Sequence, residues 1–137
     1  MKIFLDASYI IYLKYSESDE IFDYCSNLLR ELKNYDLIVN VVVLNEVVWI
    51  LKKKYGIDSE EIFEFLDRFL DFVTIVPLDT RDYELMREFI TKYNLRPSDA
   101  LHAASMKRFK AEYIVSEDAD FDGVEWIRRI WIGRDGM

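Results

Sequence analysis

Apolar residues along this chain follow two rhythms, and the changes between them mark out the elements. Short apolar runs at Lys2 to Leu5, Leu37 to Asn40, Val73 to Leu78 and Tyr113 to Val115 have strand length. Between them, apolar positions recur at helical spacing. Ser8 caps a short helix over Tyr9 to Tyr15. Glu20 to Lys33 follows, with Ile21, Tyr24, Cys25, Leu28, Leu29 and Leu32 on one stripe. The run Val41 to Ile50 is ambiguous, because its β-branched residues favour strand while its length and lysine-rich end favour helix. The reading adopted is a helix from Val43 to Tyr55, closed by Gly56. Asp58 or Ser59 caps the next helix, to Phe72, and Thr80 caps one that runs through Tyr93. Leu95 to Ser98 is a loop that launches a helix from Asp99 to Phe109. Val124 to Ile132 alternates well enough to be a final, edge strand.

Strands that alternate with helices predict an α/β fold with a mostly parallel sheet and helices on both faces. In such sheets ligands bind beyond the carboxyl ends of the strands, where Asp6 and Asp118 fall. The 137 residues suit one domain spanning 1–137, and four Gly and two Pro leave little room for linkers. The longest apolar runs are too short to span a membrane, and the chain enters a strand pattern at Lys2 without a signal peptide, so a cytoplasmic protein is expected.

Composition narrows the chemistry. One cysteine, Cys25, excludes an internal disulfide, and its helical setting suits a buried small hydrophobe better than a reactive thiol. One histidine, His102, excludes a multi-histidine metal site. A net charge of −8 argues against holding nucleic acid by bulk charge, but not against gripping phosphate through a bound cation. The basic clusters Lys52-Lys53-Lys54, Lys107-Arg108 and Arg128-Arg129 read first as solvated helix faces or ends. Lys14, Arg96 and Lys52 to Lys54 are the candidates for guiding a phosphate backbone.

Four acids stand at or on core elements: Asp6, Glu46, Asp99 and Asp118. A carboxylate is costly to bury without a partner, so acids gathered this way imply a shared cation, and a hard divalent ion prefers oxygen ligands. Asp6 and Asp99 could each be ordinary helix-start acids. Glu46, among Leu44, Val47 and Val48, is harder to explain as solvated. The loop Ser116 to Asp122 holds four acids in seven positions, which repel unless they share a cation.

These segments together resemble the PIN-domain ribonucleases, and within them the VapC-type toxins of toxin–antitoxin pairs. The matching stretches are Phe4-Leu5-Asp6-Ala7-Ser8, Leu44-Asn45-Glu46-Val47, Pro97-Ser98-Asp99-Ala100-Leu101-His102-Ala103-Ala104, and Ile114 through Asp122. Each is short, but their order and separation cover nearly the whole chain. The resemblance implies a three-layer α/β/α sandwich and metal-dependent cutting of RNA with Mg²⁺ or Mn²⁺. Asp6, Glu46, Asp99 and Asp118 take the acidic positions, and Asp120 is the alternative or additional ligand. Ser8 and Ser116 take hydroxyl positions that orient a carboxylate or a water. The resemblance also implies a small antitoxin over the site and a homodimer, with Tyr9, Tyr12, Trp49 and Phe65 as candidates for a partner groove. His102, three residues after Asp99, is either a general acid or base or a core histidine.

Three other readings compete. The chain could be a housekeeping PIN nuclease in RNA processing, or a PIN-fold binding module that does not cut. It could also be an aspartyl-phosphate enzyme, but Ser8 stands where that chemistry usually has a second acid, and no lysine follows a strand as it requires.

Overall fold

The computed structural model describes residues 1–133; residues 134–137, the end of the expected 1–137 domain, lie outside the described residues. Five strands form one sheet: β1 (Lys2–Leu5), β2 (Asp36–Val39), β3 (Val73–Ile75), β4 (Tyr113–Val115) and β5 (Arg128–Ile130). Six α-helices intervene: α1 (Ala7–Lys14), α2 (Asp19–Leu32), α3 (Val41–Lys53), α4 (Ser59–Phe69), α5 (Thr80–Tyr93) and α6 (Pro97–Phe109). A short 3₁₀ turn over Ala119–Gly123 joins β4 to β5.

The strand order is β3-β2-β1-β4-β5 and every pairing is parallel. From β1 the chain steps outward to β2 and β3, then crosses back to β4 and on to β5. Right-handed crossovers therefore place α1 to α4 on one face, and α5, α6 and the 3₁₀ turn on the other. This is the expected three-layer α/β/α architecture, with a sheet that is wholly rather than mostly parallel. Ile3, Phe4 and Leu5 are all buried, as a central strand covered on both faces requires. The direction of travel reverses between β1 and β4, so their carboxyl ends flank a crevice in which ligands of such sheets bind.

Several boundaries differ from the sequence reading, each for a local reason. The ambiguous run is helical from Val41, because Asn40, expected to end β2, is the N-cap, and its Oδ1 accepts from Val43 N at 3.0 Å. That helix ends at Lys53; Gly56 takes a φ of +64°, and Ile57 N–H bonds back to Leu51 O at 3.0 Å. The α1 cap is Asp6 rather than Ser8, and the α5 cap is Asp79 rather than Thr80, in a reciprocal capping box with Asp82. Helix α4 stops at Phe69, three residues early, and α6 starts at Pro97, where a missing N–H costs nothing. The last strand keeps only Arg128–Ile130 of the expected stretch, at the sheet edge as anticipated.

Candidate functional site

At the crevice between β1 and β4, a cleft of about 580 Å³ opens beneath the start of α1, the middle of α3 and the start of α6. Asp6, Glu46, Asp99, Asp118 and Asp120 all line it. Acids from four separate stretches of the sequence thus share one cavity.

Asp6 is the residue that ends β1 and caps α1, so strand and helix fix it together. Its Oδ1 accepts from Ala7 N at 2.8 Å and its Oδ2 from Ser116 Oγ at 2.6 Å. Ser116 is fully buried at the end of β4, and its Oγ also accepts from Asp118 N at 3.0 Å. One hydroxyl therefore joins the first acid to the last acidic loop. Ser8 anchors the same loop: its Oγ accepts from Glu117 N at 3.1 Å. Glu117 Oε1 accepts from Tyr12 at 2.9 Å.

Asp99 lies in the first turn of α6 and is 3% exposed. Arg96 Nη2 donates to Asp99 Oδ2 at 3.2 Å and to Asp118 Oδ2 at 2.6 Å. Asp118 Oδ1 accepts from Asp120 N at 2.9 Å, opening the 3₁₀ turn. Carboxylate oxygens of Asp99, Asp118 and Asp120 all lie within 4.8 Å of one another. Both candidates for the fourth acidic position therefore face the cleft, with Asp118 the more firmly held. Asp122 faces Arg129, whose guanidinium donates to both its oxygens at 3.0 Å.

The buried acids carry more negative charge than their protein partners neutralise. Burial first, then the charge of Asp6 and the bond to Asp118, push the Asp99 carboxyl up to about 7. Burial also raises Asp6, against the pull of His102 and Ser116. Burial opposes ionisation of Asp118 too, but the Asp120 backbone, Asp99 and Arg96 outweigh it, and its carboxyl is held low. Asp99 and Asp118 thus divide the roles of proton holder and anion, as adjacent carboxylates do. An all-oxygen donor set with this unmet charge fits a hard divalent cation.

His102 is completely buried, as a core histidine, yet it touches the acids. Its Nε2 is 2.9 Å from Glu46 Oε1 and 3.7 Å from Asp6 Oδ1. Its Nδ1 faces Asn40 Nδ2 at 3.3 Å, and the same amide donates to Ser105 Oγ at 3.0 Å. Because Asn40 Oδ1 is committed to capping α3, its amide hydrogens point at the ring, which makes Nδ1 the acceptor. Nε2 then carries the proton and donates it to Glu46. Burial works against a second proton, while Glu46 and Asp6 favour it, and the net direction is upward.

Sequence reasoning missed Asn40 and the bridging position of Arg96. The signal for Asn40 was available: an asparagine followed three residues later by the buried helical Val43 is an N-cap pattern. The basic and aromatic candidates divide. Lys54 and Arg96 line the cleft, whereas Lys14 pairs with Glu61 at 2.9 Å beside a different groove. Lys52 donates to Ser59 and Lys53 stacks on Trp49, as helix-end cations do. Of the expected groove aromatics, Tyr9 is wholly buried and donates to Cys25 O at 2.9 Å, so it belongs to the core. Trp49 is exposed, and Tyr12 lines the acidic cleft. Phe65 lines a separate 420 Å³ apolar groove with Leu13, Leu29, Phe69 and Phe72. Cys25 is buried and its thiol is pushed up to about 12 by burial, which makes it inert.

A wholly parallel sheet with an acid-lined cleft at its switch point defines a class, and the chain matches the PIN domain family over residues 3–127. It belongs to that family. Ribonuclease VapC2 of Methanocaldococcus jannaschii is 30% identical over 147 residues, covering 96% of this chain and 94% of that one. Solved structures share the fold: VapBC2 of Rickettsia felis, bound to a DNA fragment from its promoter, has a TM-score of 0.75 at 19% identity, covering 95% of this chain and 98% of the other. VapC20 of Mycobacterium tuberculosis, a toxin that cleaves the sarcin-ricin loop, has a TM-score of 0.74 at 18% identity, covering 88% and 92%. Among the described residues no helix is long and apolar enough to cross a membrane.

Proposed function

We propose that this chain is an endoribonuclease that hydrolyses RNA phosphodiesters with one or two Mg²⁺ or Mn²⁺ ions, and that it is the toxin of a toxin–antitoxin pair. The observation that carries the reading is the gathering of Asp6, Glu46, Asp99 and Asp118 in one cleft at the switch point of the sheet, with Asp6 and Asp99 nearly buried and one arginine shared between Asp99 and Asp118. Asp6, Glu46, Asp99 and Asp118 would hold the ion, with Asp120 at the outer edge. A divalent ion there would activate a water and neutralise charge developing on the phosphate.

The chain's own residues shape that chemistry. Ser116 fixes Asp6 through its second oxygen and holds the backbone of Asp118, so the two acids keep one spacing. His102 orients Glu46 from below, and Asn40 orients His102. Lys54 and Arg96, at the cleft wall, supply the local positive charge that an acidic chain needs to meet phosphate.

The VapC2 relative is named a ribonuclease, and two structural neighbours are toxin–antitoxin assemblies. These support an antitoxin partner here, and the apolar groove between α1, α2 and α4 is the surface suited to a peptide from it. A homodimer is part of the same reading. The test is incubation of purified protein with single-stranded and hairpin RNA and Mn²⁺, mapping the ends. Cleavage that leaves 5′-phosphates, stops with chelator and is lost in Asp6→Asn and Asp99→Asn supports the reading; cleavage that survives either substitution overturns it. Co-expression with any short reading frame found beside the gene, and sedimentation of the product, check the antitoxin and the pairing.

A further inference from the structure

We infer that Arg96 competes with the cation for the acidic cleft, and that metal binding transfers its guanidinium from the carboxylates to substrate phosphate. The inference rests on the metal-dependent reading above.

Arg96 is the N-cap residue of α6, in extended backbone enforced by Pro97, so its Cα is held one turn from Asp99. Its side chain is 70% exposed and only its tip engages the acids. Nη2 and Nε lie 3.2 and 3.3 Å from Asp99 Oδ2, and Nη2 lies 2.6 Å from Asp118 Oδ2. These two carboxylates also belong to the Asp99–Asp118–Asp120 group, one of two sets among the described residues with the spacing of a metal site, the other being Asp6, Asp99 and His102. A divalent ion binds carboxylate oxygen at roughly 2.0–2.6 Å. An ion that used Asp99 Oδ2 and Asp118 Oδ2 would compete with Nη2 for the same two oxygens.

Two other arginines beside acids are built differently. Arg108 and Arg129 side chains are 11% and 9% exposed and are locked against Asp82 and Asp122. Arg68 and Arg81 are also exposed, but their acids, Glu64 and Asp79, are exposed too and lie outside the cleft. Arg96 is the paired arginine that lines the cleft, and its exposed side chain has room to turn toward the mouth, where Lys54 also lines the wall. There its planar fork suits phosphate. While it is engaged with the acids it masks the cleft and offers little to RNA. Once released it becomes a phosphate ligand, so metal and RNA affinities are positively coupled.

The test compares wild type, Arg96→Gln, Arg96→Lys and Lys54→Gln by Mn²⁺ calorimetry at low salt, with RNA kinetics in parallel. Arg96→Gln is expected to bind Mn²⁺ about fivefold more tightly while its KM for RNA rises and kcat changes less. Arg96→Lys, which keeps the charge but loses the fork, should fall between. Lys54→Gln should tighten Mn²⁺ binding distinctly less. If wild type binds Mn²⁺ and cuts RNA but Arg96→Gln binds Mn²⁺ no more tightly, this inference alone fails. It also fails if Lys54→Gln tightens binding equally, because the effect is then that of general charge. If wild type neither binds Mn²⁺ nor cuts RNA, the functional reading fails and takes this inference with it.

Discussion

Asp82 and Asp99 occupy the same place in successive helices, each the third residue of its first turn, and both are buried. Their surroundings differ. Asp82 Oδ2 accepts from Asp79 N at 2.7 Å and from Arg108, which also donates to Pro77 O at 3.2 Å, so the acid ties β3's exit, α5 and α6 together. Its cation is itself buried and committed. Asp99 makes no such capping bond, faces Asp6 and Asp118 in a cleft, and has an exposed arginine shared with another acid. One carboxylate is neutralised by a locked arginine through its Oδ2, although its buried Oδ1 accepts no hydrogen bond, and it holds the fold. The other shares its arginine with a second acid in an open cleft, a condition typical of sites that bind or react. Helix position alone therefore says little about what a first-turn acid does. The identity and burial of its cation say more.

Substitution should separate the two most sharply. Asp99→Asn is expected to remove detectable RNA cleavage and most Mn²⁺ affinity while leaving the protein folded by circular dichroism. A D99N protein that cuts RNA at the wild-type rate would place the two aspartates in one structural class. Asp82→Ala should do the reverse: it leaves Arg108 with only the exposed Asp79 at 3.3 Å and Pro77 O, and loss of the buried partner costs about 3 kcal/mol, the low end for a broken buried pair. Denaturant unfolding measures that loss, and the remaining folded protein should bind Mn²⁺ with wild-type affinity.

Much of the fold and part of the site were legible in the sequence, for identifiable reasons. Strands and helices were readable because the apolar period changes from strand runs to helical stripes, and the alternation dictated a parallel sheet. The apolar pattern alone placed Asp6 and Asp118 at strand ends, which put them at the ligand-binding edge. What could not be read was pairing across the fold. Asn40 lies 62 residues from His102, and His102 lies 56 residues from Glu46, so neither bond leaves a local trace. Arg96 and Arg108 are each ordinary helix-flanking cations in sequence. Only the packing shows that one is locked and the other exposed. Asp82 was passed over as a stripe neighbour because its capping box needed Asp79 to be recognised as the cap.

His102 offers a finer test, since it supports an acid of the cleft from within the core. His102→Leu removes the donor to Glu46 and should weaken Mn²⁺ binding by about tenfold or more. His102→Gln, which keeps a donor, should recover part of that affinity. If leucine and glutamine behave alike while both fold stably, the histidine is core packing and nothing further.

The smallest expected effect is the dependence of stability on pH, and its sign follows from the same contrast. Asp99 in the folded chain titrates near 7 and Asp6 is also raised, so the native state holds protons that the unfolded chain has released by about pH 4–5. Stability without metal should then be fullest at the acidic end of this window and fall as pH rises toward 7, with little further loss from Asp99 above it. Asp118, held low, contributes in the opposite sense but only below its ordinary value, outside this window. The raised His102 adds to the fall above about pH 6.5. The expected loss is on the order of 2 kcal/mol, because solvent at the cleft wall screens part of the repulsion. Thermal melts in chelator between pH 5 and 8 measure it. Asp99→Asn, permanently neutral, should flatten the curve and melt higher than wild type at pH 8, while Mn²⁺ should stabilise wild type most where the acids are ionised. A metal-free wild type whose stability climbs from pH 5 to 7 would mean that the charge of Asp99 is as well neutralised as that of Asp82, and the contrast between them would dissolve.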